Sequence, residues 1–168
     1  MRAAEAAGYA DLLSAPGALT LLAPPNAAFD NLSPGLLDKL LDDIWKPQLQ
    51  DLLQYHLLPG VVTSADLADG LSLATLNGEN VTFDTDLPLG PRVNENALVL
   101  TDIVDVPASN GVIHGVSEVL VPASVTSNIV DIAAANDDFK TLVMAVTAAG
   151  LAETLSGEGP FTVFGKYT

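Results

Sequence analysis

Two histidines, His56 in "YHLLPG" and His114 in "NGVIHGVSEV", are the chain's only imidazoles. An imidazole works as a general base beside a nucleophile, or as a metal ligand beside two or three further ligands. Neither a GxSxG nor an HExxH pattern surrounds them. The chain has no cysteine, which excludes a thiolate nucleophile, a thiolate metal site and a disulfide. His114 stands inside an apolar run, where a histidine satisfied by internal hydrogen bonds is the plainer reading. Its expected partner is the turn at Asn26. His56, beside Tyr55 at a helix end, is expected to bond a carbonyl or to face the negative end of the helix. No catalytic set, no metal set and no cofactor follow from these residues.

The carboxylates give a similar result. Asp84 and Asp86 in "DTD" could open an oxygen-ligand calcium site, but neither EF-hand spacing nor a bidentate glutamate in register follows. They read as the exposed end of a hairpin. Asp38, Asp42 and Asp43 read as the solvated face of a helix. Asn80-Val81-Thr82 and Asn31-Leu32-Ser33 are glycosylation acceptors if a eukaryote secretes the chain, the second weakened by Pro34.

These groups ride on a chain of 168 residues with 21 acids, 6 bases and a formal charge of −15. That sign disfavours nucleic acid and anionic lipid surfaces as partners. With 49% hydrophobic and only 5% aromatic residues, the core must be aliphatic. No apolar run reaches the roughly 18 residues that span a bilayer. The opening "MRAAEAAGYADLL" lacks the apolar stretch of a signal peptide and begins inside a helical pattern, as a fragment would.

Hydrophobic periodicity places the elements. Residues 2–13 are helix-like and 19–23 form a strand. "APPN" turns that strand, with Asn26 as a helix cap. Ser33-Pro34 starts a helix carrying Leu36, Leu37, Leu40, Leu41 and Ile44. Pro47 starts another carrying Leu49, Leu52 and Leu53. After Gly70 the period becomes two. Asn77-Gly78 and Asn110-Gly111 are turn signals between strands, with further strands expected at Arg92–Glu95, Ala97–Val106 and Val112–Val121. The expected core includes Leu21, Leu40, Leu53, Val99, Ile113 and Val119. Helices return at 128–135 and from Asp137 to Gly150. Helices followed by mainly antiparallel strands make an α+β fold.

A shift of 142 positions lays "AAGYADLLSAPGALTLL" (6–22) over "AAGLAETLSGEGPFTVF" (148–164) without a gap. Ala6, Ala7, Gly8, Ala10, Ser14, Gly17 and Thr20 recur at the shifted positions. Helix, glycine stop, turn and strand recur in order, so the C-terminal stretch reads as the start of a second copy. The first copy lacks the short helix at 128–135.

Three stretches resemble signatures of the fasciclin domain family: "LTLLAPPNAAF" (19–29), "YHLLPG" (55–60) and "NGVIHGVSEVLVP" (110–122). Asn26, Tyr55, His56, Asn110, Gly111 and His114 are their motif residues. The resemblance implies a β-wedge of about seven mainly antiparallel strands packed with helices. It divides the chain into a domain at 1–122 lacking its first helix and a second-repeat start at 123–168, docked or swapped onto a fasciclin core. It implies a secreted or cell-surface adhesion or matrix module that contacts protein or glycan without catalysis. A soluble carrier of an apolar ligand such as a carotenoid is the alternative. Pro25 departs from the family's frequent threonine, and "FGKYT" departs from its Ala-Pro-Thr-Asn turn. Some animal members carry an adhesive Asn-Lys-Asp-Ile-Leu stretch. In "IVDVP" (103–107) only Asp105 matches, so integrin binding is not carried over. The apolar strand of the unfinished repeat suggests a homo-oligomer formed through the C-terminal arm.

Overall fold

The structure is a computed structural model and describes residues 7–9, 17–42, 45–126, 128–134, 137–157 and 161–164. Most of the expected helix over 2–13, with Asp43, Ile44 and residues 165–168, lies outside that set. The fold is α+β. Eight strands and seven helices occur among the described residues, and the chain separates into two compact units, 1–125 and 126–168.

The first unit holds both sheets. β1 (Leu19–Ala23), β2 (Leu57–Pro59), β7 (Val106–Ala108) and β8 (Gly111–Gly115) form one, in the order β2-β1-β8-β7. β3 (Leu71–Ala74), β4 (Asn80–Asp84), β5 (Arg92–Val93) and β6 (Ala97–Leu98) form the other in sequence order. Among the described residues only the β1–β8 pair is parallel, with Leu22 opposite His114. Two seams join the sheets. Leu76 donates its amide to the Leu57 carbonyl at 2.9 Å, and Val99 bridges Val116.

Local chemistry explains the boundaries. Pro24 and Pro25 supply no amide donors and end β1. α1 (Asn26–Asp30) follows with Pro25 at its N-cap and no side-chain cap. Asn26 is exposed and does not cap the helix. Nor does Ser33 cap α2 (Leu36–Leu40), whose N-cap is Gly35 at φ 80°. α3 (Lys46–Tyr55) has Pro47 in its first turn and buries Leu49, Leu52 and Tyr55 at threefold spacing. The β7–β8 hairpin turns on Ser109-Asn110, one residue before the expected pair, because Ala108 is already opposite Gly111. Gly111 itself is required by close approach: a Cβ there would stand 1.8 Å from the Leu19 carbonyl oxygen. The expected strands at 97–106 and 112–121 are each interrupted, the first by a 3₁₀ turn at Thr101–Ile103.

Two apolar clusters hold this unit. Leu22, Tyr55, Leu58, Val81, Phe83, Val93, Val99 and Val116 pack between the sheets. Ala7, Ala28, Leu40, Leu49, Leu52 and Val119 pack around α3. Of the expected core, Leu40, Val99 and Val119 are buried, whereas Leu21, Leu53 and Ile113 are only half-buried. In β1 it is Thr20 and Leu22 that turn inward, so Leu21 falls on the opposite face with its partner Ile113. There Leu19, Leu21, Leu57 and Ile113 line a shallow cleft of about 150 Å³.

The second unit comprises α5 (Ile129–Ala134), a 3₁₀ turn at Asp137–Phe139, α6 (Lys140–Ala148), α7 (Ala152–Leu155) and the segment 161–164, which has no regular secondary structure where the sequence suggested an apolar strand. α4 (Ala123–Thr126) lies at the boundary. Its first amides, of Ala123 and Ser124, donate to the Glu79 carboxylate at 3.0 and 3.3 Å.

Candidate functional site

Tyr55 and His56 lead into β2 and His114 reaches the loop that follows it, whereas Asn26 and Asn110 lie elsewhere. α3 ends in Tyr55-His56 and passes straight into β2, so both side chains are carried into the interior. His56 is buried. Its Nδ1–H donates to the Leu52 carbonyl at 2.8 Å, one turn back, and its Nε2 accepts the Leu120 amide at 2.9 Å. One acceptor and one donor fix a neutral ring with the proton on Nδ1. Burial pushes its pKa down to about 4, opposed by the Leu52 bond.

His114 is equally buried, at 2% exposure, but in the other tautomer. Its Nε2–H donates to the Val62 carbonyl at 2.8 Å, and its Nδ1 accepts the Asp105 amide at 3.3 Å. The expected bond to the Asn26 turn is therefore corrected. The β1–β8 register puts His114 beside Leu22, and the face it shares looks onto the loop at 60–64. Thr20, fully buried, completes the attachment. Its hydroxyl donates to the Gly60 carbonyl and accepts the Val62 amide, both at 2.9 Å. A threonine inside an apolar strand was the available signal for this role.

Asp105 closes the same loop from outside. Its carboxylate accepts the Ser64 amide at 2.8 Å and also the Ser64 hydroxyl. Hydrogen bonds from Ser64 hold its pKa below the usual carboxylate range, with a smaller contribution from His114, whose Nε2 is 4.0 Å away. Asp105 has φ 54°, a left-handed conformation that aspartate tolerates better than most residues. Asp66 similarly accepts the Thr63 amide and hydroxyl, which lowers its pKa.

Tyr55 donates its hydroxyl to the Asn80 carbonyl at 3.1 Å and accepts from Asn94 Nδ2 at 2.8 Å. Desolvation raises its pKa, so the phenol stays protonated. Asn94, in a left-handed turn at φ 51°, was not singled out by sequence reasoning, although "VNEN" is turn-like. Asn110 accepts the Leu19 amide at 3.1 Å through its carbonyl. The acceptor side chains Asn80 and Asn31 are both exposed. Asp84 ends β4 opposite Arg92, and the Thr85 and Asp86 amides donate to Asp69. Among the described residues no group of three or more His, Cys, Asp or Glu side chains could hold a metal ion.

This arrangement fastens strand to loop. Both lone-pair nitrogens of the histidines already accept backbone amides, and the Ser64 hydroxyl faces a carboxylate with no imidazole between them.

A profile of the Fasciclin domain matches residues 1–122. The chain belongs to the fasciclin-domain family. It is 36% identical over 164 residues to transforming growth factor-beta-induced protein ig-h3 of Sus scrofa, covering 97% of this chain and 23% of that protein. It is 35% identical over 118 residues to protein sll1735 of Synechocystis, covering 70% and 84% respectively. Human periostin is 29% identical over 153 residues, covering 91% and 17%. The chain thus spans about a quarter or less of the long relatives ig-h3 and periostin. A FAS1 domain pair from the insect cell adhesion molecule fasciclin I superposes with TM-score 0.47 at 17% identity, covering 88% of this chain and 51% of that one. Among the described residues no helix is long and apolar enough to cross a membrane.

Proposed function

We propose that this fasciclin chain is a non-catalytic module of extracellular adhesion or matrix contact, secreted or displayed at a cell surface, that meets protein or glycan through its surface. The observation carrying this reading is that Tyr55, His56 and His114 have their polar atoms engaged by internal partners. The family's shared motifs therefore maintain a scaffold, and its faces remain for contact. In the same reading, 126–168 begins a second repeat. The match to ig-h3 runs over 164 residues, well past the 122 where the domain profile ends. The carrier alternative gains no specific support: clefts of about 240 and 150 Å³ are smaller than the roughly 300–1,000 Å³ of small-molecule sites.

The test is surface plasmon resonance of the full chain against immobilised extracellular-matrix proteins and a glycan array. Saturable binding that survives in folded His114→Gln protein supports the proposal. Absence of binding across the panel, together with turnover of any substrate that His114→Gln abolishes, overturns it.

A further inference from the structure

β1 and β8 are the first and last strands among the described residues, and they lie side by side in the middle of one sheet. They run parallel from Leu19 opposite Gly111 to Ala23 opposite Gly115. Backbone bonds close both ends of the pair. The Leu19 amide donates to the Asn110 carbonyl at 3.1 Å, and the Val116 amide donates to the Ala23 carbonyl at 3.0 Å. A cross-tie joins the two strands through a single residue of the loop after β2. Val62 donates its amide to the Thr20 hydroxyl of β1 at 2.9 Å, and its carbonyl accepts Nε2–H of His114 of β8 at 2.8 Å.

We propose that this pair is a mechanical clamp, and that carrying tension along the backbone is a further function of the chain. The inference rests on the adhesion reading above, because a module held at a surface or in a matrix is pulled through the chain on either side of it. Tension draws β1 backward from its Leu19 end and β8 forward from its Gly115 end, whatever happens to the segments before and after them. In antiparallel strands those two pulls would meet at one end of the ladder and open it rung by rung. In parallel strands they act at opposite ends, so the strands must slide and all the rungs take the force together. Three features oppose the slide. Neither strand is an edge, since β2 flanks β1 and β7 flanks β8. The cross-tie runs diagonally, because Thr20 is opposite Val112 and His114 is opposite Leu22, so sliding β1 past β8 strains it. Beyond β8 the chain is held again, by the Leu120 amide on His56 and by fully buried Pro122.

Single-molecule force spectroscopy of the full chain tests this, with handles on introduced cysteines, whose attachment is unique because the chain has none of its own. Ala18→Cys with Ser124→Cys loads the two strands in shear. Ala18→Cys with Ser109→Cys pulls both strands from the same end and peels them apart. All three positions are exposed. At one loading rate the shear pair should yield in a single rupture, at a force at least about twofold above the peel pair, because forced unfolding follows the barrier along the pulled direction. Thr20→Val keeps the side-chain shape but removes both bonds of the hydroxyl. It should lower the shear force proportionately more than the peel force. Circular dichroism confirms that each variant is folded, and if Thr20→Val is not, the two handle pairs in the parent decide alone. Equal forces in the two geometries, a shear trace of small steps without a rupture peak, or equal proportional lowering by Thr20→Val overturns the proposal. The adhesion reading fails separately: absence of matrix or glycan binding would leave the difference between the two pulling directions in place, and equal forces would leave binding in place.

Discussion

His56 and His114 show how one residue type is fastened in two ways, Nδ1–H donating to a carbonyl in one and Nε2–H in the other. Their apolar neighbours in the sequence already pointed to internal bonding. The partners were less legible. The Leu52 carbonyl lies four residues from His56, within reach of local reasoning, but Val62 is 52 residues from His114 and becomes its neighbour only through sheet register. Asn26 failed as an anchor because the proline before it takes the N-cap position. The depressed pKa of His56 has a stability consequence. An unfolded histidine binds its proton near pH 6.5, the folded one only near 4. Between those values the unfolded chain holds more protons, so stability from this group is full above pH 6.5 and falls as the pH drops toward 4. The loss is on the order of 3 kcal/mol. Urea unfolding of the parent and of His56→Gln at pH 7.5, 5.5 and 4.5 checks it. The gap between the two proteins should narrow as the pH falls, and a constant gap would contradict the buried neutral ring.

At the scale of elements, the strands and helices that punctuation marks were readable, and the faces of apolar runs were not. Pro47 and the spacing of Leu49 and Leu52 defined α3, and Asn77-Gly78 marked the β3–β4 connection. In "LTLLA" two adjacent leucines fit either phase of a two-residue period, and the deciding contact is the Thr20 hydroxyl on the Gly60–Val62 loop. The same ambiguity separates Leu52, 2% exposed, from half-buried Leu53. Leu52→Ala should cost about 2–5 kcal/mol, the range for emptying a packed leucine site. Leu53→Ala and Leu21→Ala should each cost clearly less, because part of each side chain already meets water. Chemical-denaturation midpoints of the three variants give the order directly. Equal losses at 52 and 53 would mean that α3 presents a different face to its cluster.

The whole molecule combines units built to different standards. The first has two sheets, two apolar clusters and polar staples running from Thr20, His56 and His114 into the Gly60–Ser64 loop and the Leu120 amide. The second has short helices around an open cleft and no buried residue among those described. Periodicity, which marks the face of a helix, does not report whether anything covers that face. Backbone amides exchange through openings whose cost follows the apolar contacts that must be broken. Amides of Leu22, Val81, Phe83 and Val116, in or beside the sheets, should therefore exchange only through near-global unfolding. Those of Val143–Ala148 should exchange through local opening at far lower cost, although α6 is as regular as α3 over most of its length. Hydrogen–deuterium exchange of the full chain in dilute solution measures both sets in one experiment. Uniform protection across the two units in dilute solution would show instead that the second unit shares the stability of the first.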